Sequence, residues 1–251
     1  MIVILSPAMR MIKDDGMTPL SSPIFPDQTK KIDEALQQLS LPQLAKVWLC
    51  SEKAVQKFYQ AYLQEPREKE VTPAILSFAG IAYQYLGPSA FTDEQFAWVQ
   101  NHVRILSGYY GVLKPMDGVV PYRLEMKSPL SVGKTKDLYA FWQDSLYQNC
   151  LDDDHVILNL ASKEYSKAVE HYCTKHDRFV NVYFEEHEKG RYVTKGVYAK
   201  MARGDMTAWL AEKQVDDVEM VKQYDRMHYH FDKARSDDTH FHFVRESKVQ
   251  G

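Results

Sequence analysis

The chain has 251 residues, with 31 Lys and Arg against 34 Asp and Glu, so its formal net charge is -3. Hydrophobic residues make up 45% and charged residues 26%, which excludes a disordered, collagen-like or coiled-coil protein for the bulk of the chain. The total charge conceals a segregation, because segment 102–138 carries six Lys and Arg against three Asp and Glu, and segment 187–204 carries five against one. Positive charge is therefore concentrated enough to bind a polyanion on a single face.

The first half of the chain predicts one short strand followed by helices. Residues 2–5 form an apolar, β-branched run that Ser6-Pro7 ends, and a helical pattern begins at Lys31. Short helices over 43–50 and 54–63 flank a tight turn that contains Lys53, which makes 41–63 a candidate helix–hairpin–helix element. The alternative for the same residues is an αα-hairpin that packs on the core.

The middle of the chain predicts two longer helices separated by a loop. Thr92 and Gln95 form a capping-box pattern at the start of a predicted helix over 92–107. Gly108 and Gly111 then introduce a loop that runs to about Lys134, and the helical pattern resumes over 136–151.

The second half of the chain alternates strands and helices. An apolar strand is predicted over 156–160, and residues 161–167 open a helix directly after it. Further predicted elements are a β-hairpin over 179–184 and 191–198, a helix over 200–213 and strands over 227–232 and 239–245. Without a βαβ repeat or a linker, this order predicts a single α+β domain over 1–251, with a mixed sheet and surrounding helices.

Three polar clusters are candidate phosphate-binding sites, although each also fits a solvated or salt-bridged surface. The cluster over 162–167 lies at a strand-to-helix junction, where free backbone amides and the helix dipole favour a phosphate. Glu125 and Glu164 are additional candidates for an acid/base pair. The clusters are Arg104, Lys114, Tyr122, Arg123, Glu125 and Lys127; Ser162, Lys163, Glu164, Tyr165, Ser166 and Lys167; and Lys195, Lys200 and Arg203.

Histidines in the tail are the candidate metal ligands. His228, His230, His240 and His242 occur in pairs two residues apart, so a hairpin of these strands would gather the imidazoles on one sheet face. A solvated face that happens to carry histidine is the alternative. The three cysteines, Cys50, Cys150 and Cys173, show no metal-ligand spacing and no paired framework, so no cofactor is predicted.

Five motifs, in order and spread over nearly the whole chain, resemble the YaaA peroxide-stress family. Departures from the family pattern include Met9 in place of a lysine, Ala79-Gly80-Ile81 in place of Lys-Gly-Asp, and Met201 in place of a lysine. The motifs are ILSPA at 4–8, VRILSGYYGVLKPMDGVVPYRLEM at 103–126, LYAFWQD at 138–144, LNLASKEYSK at 158–167 and YAKMARG at 198–204.

The resemblance implies a cytoplasmic, membrane-free protein of the hydrogen-peroxide response that limits iron-dependent oxidative damage. It also implies an α+β domain with a basic cleft and a helix–hairpin–helix element over 41–63, which binds duplex or branched DNA. No reaction is implied. The alternatives are an enzyme that acts on a nucleotide or nucleobase in the same cleft, with a nucleotide-like small ligand, and an iron-handling protein.

The predicted DNA-contacting residues combine the three clusters with positions near the first strand and in the hairpin. Their Lys and Arg would contact phosphates without reading sequence, and Tyr122 and Tyr165 would stack on unpaired bases. The full set is Ser6, Arg10, Lys53, Arg104, Lys114, Tyr122, Arg123, Ser162, Lys163, Tyr165, Ser166, Lys167, Lys200 and Arg203.

Overall fold

A largely parallel sheet forms the centre of the molecule. The structure is a computed structural model that describes residues 1–14, 16–56, 58 and 71–246. Eight of the ten strands share this sheet, and β2 and β5 form a separate antiparallel pair. The strands are β1 (Ile2–Leu5), β2 (Thr72–Pro73), β3 (Val103–Ser107), β4 (Gly111–Leu113), β5 (Gly118–Val119), β6 (Val156–Asn159), β7 (Arg178–Glu188), β8 (Arg191–Val193), β9 (His230–Phe231) and β10 (His240–Glu246).

Helices surround the sheet, and the longest of those in the described residues is Gly196–Lys213. Residues 52–56 are also helical, and 3₁₀ turns occupy Pro88–Ala90 and Val218–Gln223. None of the helices in the described ranges is long and apolar enough to span a membrane. The labelled helices are α1 (Pro26–Gln37), α2 (Leu41–Val47), α3 (Ala74–Ser77), α4 (Ile81–Leu86), α5 (Asp93–His102), α6 (Leu138–Trp142), α7 (Ser145–Gln148), α8 (Lys163–Glu170) and α9 (Gly196–Lys213).

Strand β1 lies in the middle of the sheet, whose order is β4-β3-β1-β6-β7-β10-β9. It pairs in parallel with β3 on one side, where Val3 is opposite Val103, and with β6 on the other, where Val3 is opposite Leu158. Strand β7 is parallel to both β6 and β10, and β8 extends the edge of β7. The fully buried residues of β1, β3 and β6 place the hydrophobic core on both faces of this region.

The expected α+β class is corrected to α/β, because parallel pairing dominates the sheet. Strands β6 and β7 are parallel neighbours joined through α8, which is a βαβ unit that the sequence pattern did not reveal. The described residues form a single α/β domain with a mixed sheet and surrounding helices, as expected in all but class.

The predicted helix over 92–107 is wrong in its last five residues. The Thr92 cap and its capping box are present, but the helix ends at His102 and β3 begins at Val103. Val103 and Ile105 are completely buried, and Ile105 pairs with Leu5 of the central strand. Sheet pairing of these β-branched residues therefore overrides a periodicity that fitted a helix equally well.

The helix predicted over 136–151 is two short helices, α6 and α7. The chain changes direction at Gln143, which has a φ of 48°, outside the right-handed helical region.

The candidate helix–hairpin–helix element is only partly described. Its first helix is α2 and its second begins with the helical residues 52–56, while residue 57 and residues 59–63 lie outside the described residues. Leu44, Trp48 and Val55 are buried in the core. Both the helix–hairpin–helix element and the basic cleft stay predictions.

Candidate functional site

A cavity of about 730 Å³ opens at the carboxyl ends of β1 and β6. The chain passes from β1 to β3 on one side of the sheet, and β6, β7 and β10 extend it on the other side. Such a reversal of strand order leaves a crevice beyond the strand ends, which is where ligands bind in open α/β sheets. The position of the cavity therefore follows from the topology.

Two serines join the strand ends at the cavity wall. The Ser162 backbone N–H donates to Ser6 Oγ at 2.8 Å, and the Ser6 hydroxyl donates to Ser162 Oγ at 3.2 Å. The buried hydroxyl of Tyr83 donates to the Ser6 carbonyl at 2.9 Å, which fixes the turn after β1. The hydroxyls of Ser6 and Ser162 lie beside the N-terminus of α8, which begins at Lys163.

Close packing between α4 and α9 forms another wall. A Cβ on Gly204 would lie 1.9 Å from the Ala82 carbonyl oxygen, so only glycine permits this contact. Similarly, a Cβ on Gly80 would lie 2.8 Å from the Ala8 side chain. These contacts bring Arg203 of α9 to the segment that follows β1.

Five cationic side chains and two carboxylates line the cavity. Arg10, Arg123, Lys200 and Arg203 come from three distant parts of the sequence, and Lys127 is the fifth cation. The first four form no ion pair with any carboxylate in the described parts of the chain. This lining has an excess of three positive charges, although the whole chain has a net charge of -3.

Arg203 is the most enclosed of these cations. Its Nε is buried and has no hydrogen-bond partner among the residues that the structure describes. Burial lowers the pKa of this guanidinium, with no nearby carboxylate to oppose the effect. Arg123, in contrast, donates from Nε to the Trp48 carbonyl oxygen at 2.8 Å.

Glu125 and Glu164 share one ammonium group. Lys127 Nζ lies 3.0 Å from Glu125 Oε2 and 2.9 Å from Glu164 Oε2, and its backbone N–H also donates to Glu164 Oε1. Hydrogen bonds with Glu164 and then Glu125 raise the pKa of Lys127. The candidate acid/base pair is thus brought together, with both carboxylates mostly shielded from solvent.

Tyr122 and Tyr165 line the cavity as buried side chains. The Tyr122 hydroxyl accepts a hydrogen bond from Ser107 Oγ at 2.7 Å, and its ring stacks on Tyr109 with centroids 5.0 Å apart. Burial raises the pKa of both phenols, so they remain neutral. Their part in base stacking stays a prediction.

Six of the predicted contact residues lie away from the cavity. Arg104 donates to the carbonyl oxygens of Gln100, Asn101 and Val103, and burial lowers its pKa. Lys167 Nζ lies 4.0 Å from the centroid of the Tyr139 ring. The other four residues are the exposed Lys53, Lys114 and Lys163 and the buried Ser166.

The third polar cluster divides between two regions. Lys195 Nζ lies 2.9 Å from Glu186 Oε2 and 3.4 Å from Glu188 Oε2, whereas Lys200 and Arg203 line the cavity. Although Lys195 directly precedes α9, its charge is neutralised by carboxylates at the C-terminal end of β7.

Two of the four tail histidines have carboxylate partners of their own. His242 Nδ1 lies 2.7 Å from Glu185 Oε2, and His240 Nδ1 lies 3.0 Å from Asp237 Oδ1. His230 is opposite Val244 in the β9–β10 pair, and His228 precedes β9. Across the described ranges, no group of three or more His, Cys, Asp or Glu side chains is arranged to hold a metal ion.

Sequence reasoning missed the parts played by Tyr83, by Gly204 in the contact with α4 and by Gly80 in the contact with Ala8. The Ala79-Gly80-Ile81 segment, which departs from the family pattern, lines the cavity. A small-residue pair such as Gly80 and Gly204 near a cation is the signal that would have indicated close packing at the site.

The fold and the cavity define an α/β protein with a cation-lined site at the carboxyl edge of its sheet. The chain belongs to the YaaA, or UPF0246, family, since the family model described as "Peroxide stress protein YaaA" matches residues 1–235. A UPF0246 protein of Agathobacter rectalis is 42% identical over 98% of this chain and 99% of its own length. Relatives in Lactiplantibacillus plantarum and Desulfitobacterium hafniense are 42% and 41% identical over 97% and 98% of this chain, and over 99% and 98% of their own lengths.

Proposed function

We propose that this peroxide-stress family protein binds DNA phosphates with the cations that line the cavity. The observation that carries the proposal is that Arg10, Arg123, Lys200 and Arg203 line one cavity with no carboxylate partner in the described chain. Lys and Arg that neutralise DNA phosphates gain affinity by releasing condensed counterions. Cations already neutralised within the fold would not provide this gain.

Binding of this kind offers a direct route to protection from peroxide. Cations condense on DNA phosphates, and ferrous ions held there would generate radicals beside the backbone. A protein that covers phosphates releases such cations, so occupancy itself would limit iron-dependent damage. Contact with phosphates alone also implies weak sequence specificity.

Fluorescence anisotropy with a labelled duplex and a labelled bubble DNA tests the proposal at 50 and 200 mM salt. If all four cations contact phosphates, the affinity should fall roughly 100-fold between these concentrations, because each neutralised phosphate contributes about 0.9 to the logarithmic salt slope. Arg123→Gln combined with Lys200→Gln should reduce that fall to roughly tenfold.

The matched control is Lys134→Gln combined with Lys136→Gln, which removes the same charge at exposed positions outside the cavity. This control should keep most of the affinity. No binding, binding indifferent to salt, or an equal loss in the control would overturn the proposal.

A second function, an enzyme that acts on a nucleotide or nucleobase, is favoured by the placement of Glu125 and Glu164. Both line the cavity, and the Oε2 atoms of both contact Lys127 Nζ, which brings the two carboxylates close to each other. One carboxylate would accept a proton from the substrate, and Lys127 would hold both carboxylates in position. Chromatography of nucleotides incubated with the wild type, Glu125→Gln and Glu164→Gln tests this function, and unchanged nucleotides would exclude those substrates.

A further inference from the structure

We infer that the cavity holds a small ligand of its own, with a phosphate monoester bound at Arg203 and an amino-bearing ring directed at Glu125 and Glu164. An amino-bearing mononucleotide has this chemistry. The inference deepens the second function proposed above, and it holds whether or not a reaction follows binding. It shares Arg123, Lys200 and Arg203 with the proposed DNA contacts, but its test uses small probes alone, so the two proposals can fail separately.

The size of the cavity fits this class of ligand. Its volume of about 730 Å³ lies within the usual range for sites that enclose small molecules. Much of its wall is apolar, with Leu5, Leu86, Leu124 and Leu160 contributing to it. Apolar walls with a few convergent polar groups are typical of a ligand site, whereas an open groove for a duplex would be polar along its length.

Arg203 supplies the anion-binding group. A buried charge needs a partner, and the other enclosed guanidinium groups have one. Arg104 donates to three carbonyl oxygens and Arg245 donates to Glu186, whereas Arg203 Nε has no partner among the described residues. The geometry therefore leaves an anion of the ligand as the missing partner of Arg203.

Other residues of the cavity lining also favour a phosphate. Arg123 and Lys200 add two more positive charges without carboxylate partners in the described segments. Ser162 lines the cavity at the N-terminus of the eight-residue helix α8, where backbone amides and the helix dipole attract anions. A dianion with several acceptor oxygens satisfies this set of donors better than a single carboxylate does.

The carboxylates supply the recognition of the amino-bearing ring. Lys127 contacts Glu125 and Glu164 with its Nζ and holds both at the cavity wall. Ionised carboxylates only accept hydrogen bonds, so a ligand group that faces them must donate. An exocyclic amino group on a base meets that requirement with two N–H donors, whereas each hydroxyl of a plain sugar phosphate donates only once.

Isothermal titration calorimetry with three probes, namely adenosine 5′-monophosphate, ribose 5-phosphate and adenosine, tests the inference. The monophosphate should bind most tightly, ribose 5-phosphate about tenfold more weakly, and adenosine most weakly. Arg203→Gln should weaken the binding of both phosphates at least tenfold and leave adenosine unchanged. Glu164→Gln should weaken the binding of adenosine 5′-monophosphate more than that of ribose 5-phosphate.

Lys134→Gln is the control, since Lys134 is exposed and does not line the cavity. If Arg203→Gln does not fold, Arg203→Lys keeps the charge and should still weaken phosphate binding, because an ammonium cannot make the bidentate contacts of a guanidinium. No heat with any probe at millimolar concentration, or undiminished phosphate binding in both Arg203 variants, would overturn the inference. DNA anisotropy on the same proteins then shows separately whether binding of duplex persists.

Discussion

Two regions of the molecule treat their cations in opposite ways. The cluster at the C-terminal end of β7, called the strand-end cluster, comprises Glu185, Glu186, Lys195, Arg235 and Arg245. Each cation in it has a carboxylate partner. Arg235 and Arg245 also pack their guanidinium groups on the rings of Tyr192 and Tyr198. In the cavity, the cations other than Lys127 have no carboxylate partner within the described residues. Pairing within the fold therefore distinguishes structural charge from charge that remains for a ligand.

The largest expected effect is the loss of stability on substitution of Glu186. Its buried carboxylate accepts from Lys195 Nζ at 2.9 Å and from Arg245 Nε at 3.0 Å. Glu186→Gln would leave Arg245 without its carboxylate partner and weaken the hold on Lys195, and it should lower the free energy of unfolding by about 3–5 kcal/mol. Urea denaturation measures the change. Glu188→Gln is the control, since the more exposed Glu188 forms an ion pair with Lys195 alone among the described residues, and an equal loss there would refute the assignment.

Matched arginine substitutions in the two regions should have effects of opposite sign. Arg245→Met breaks the contact with Glu186 and should cost about 3 kcal/mol, whereas Arg203→Met removes a buried charge without a described partner and should stabilise the protein by about 1 kcal/mol. Thermal and urea unfolding of the two variants measures both effects. A comparable loss of stability in Arg203→Met would show that Arg203 is neutralised within the fold.

Acid should weaken the strand-end cluster. Burial by itself raises the pKa of Glu185 and Glu186, but hydrogen bonds from Arg235 and His242 to the first, and from Lys195 and Arg245 to the second, hold both pKa values below the ordinary 4.5. Because the folded state then binds protons less readily than the unfolded state, this stabilisation is complete above about pH 4.5 and is lost as pH falls through the folded pKa values.

Urea midpoints between pH 7 and pH 3 measure this dependence. Glu186→Gln should flatten the acid limb of the curve, and Arg203→Met should leave its shape unchanged. An acid limb that persists undiminished in Glu186→Gln would contradict the role of this carboxylate.

The smallest expected effect compares two lysines at the start of α9. Lys200 lines the cavity, whereas Lys195 contacts Glu186 and Glu188. Lys200→Gln should lower the logarithmic salt slope of DNA binding by about 1, and Lys195→Gln should leave the slope unchanged. Anisotropy titrations at several salt concentrations measure both slopes, and a larger change for Lys195→Gln would reverse the assignment.

Local patterns in the sequence predicted part of this architecture. The apolar runs at 2–5 and 156–160 gave strands β1 and β6, and the polar residues after each run gave Ser6 and Ser162, which meet in the structure. Residues 103–107 could not be assigned in this way, because their apolar spacing fits both a helix and a strand until pairing with β1 is known.

The composition of the site was harder to predict than its location. The sequence does not distinguish Arg104, Lys195 and Arg203, because each is a cation in a basic segment. In the structure, Arg104 donates to backbone carbonyls, Lys195 contacts Glu186 and Arg203 lines the cavity. Which cation finds a partner depends on contacts between residues distant in sequence. Only the folded arrangement reveals those contacts.

NMR of the arginine side chains tests most directly whether the cavity retains positive charge for an anion. With ¹⁵N-arginine-labelled protein, the Nε–H resonance of Arg203, assigned through Arg203→Lys, is followed during titration with ribose 5-phosphate. The structure predicts a saturable shift at Arg203 and none at Arg245, whose Nε already donates to Glu186 at 3.0 Å. An unchanged Arg203 resonance at saturating ribose 5-phosphate, or equal shifts at both residues, would contradict the account.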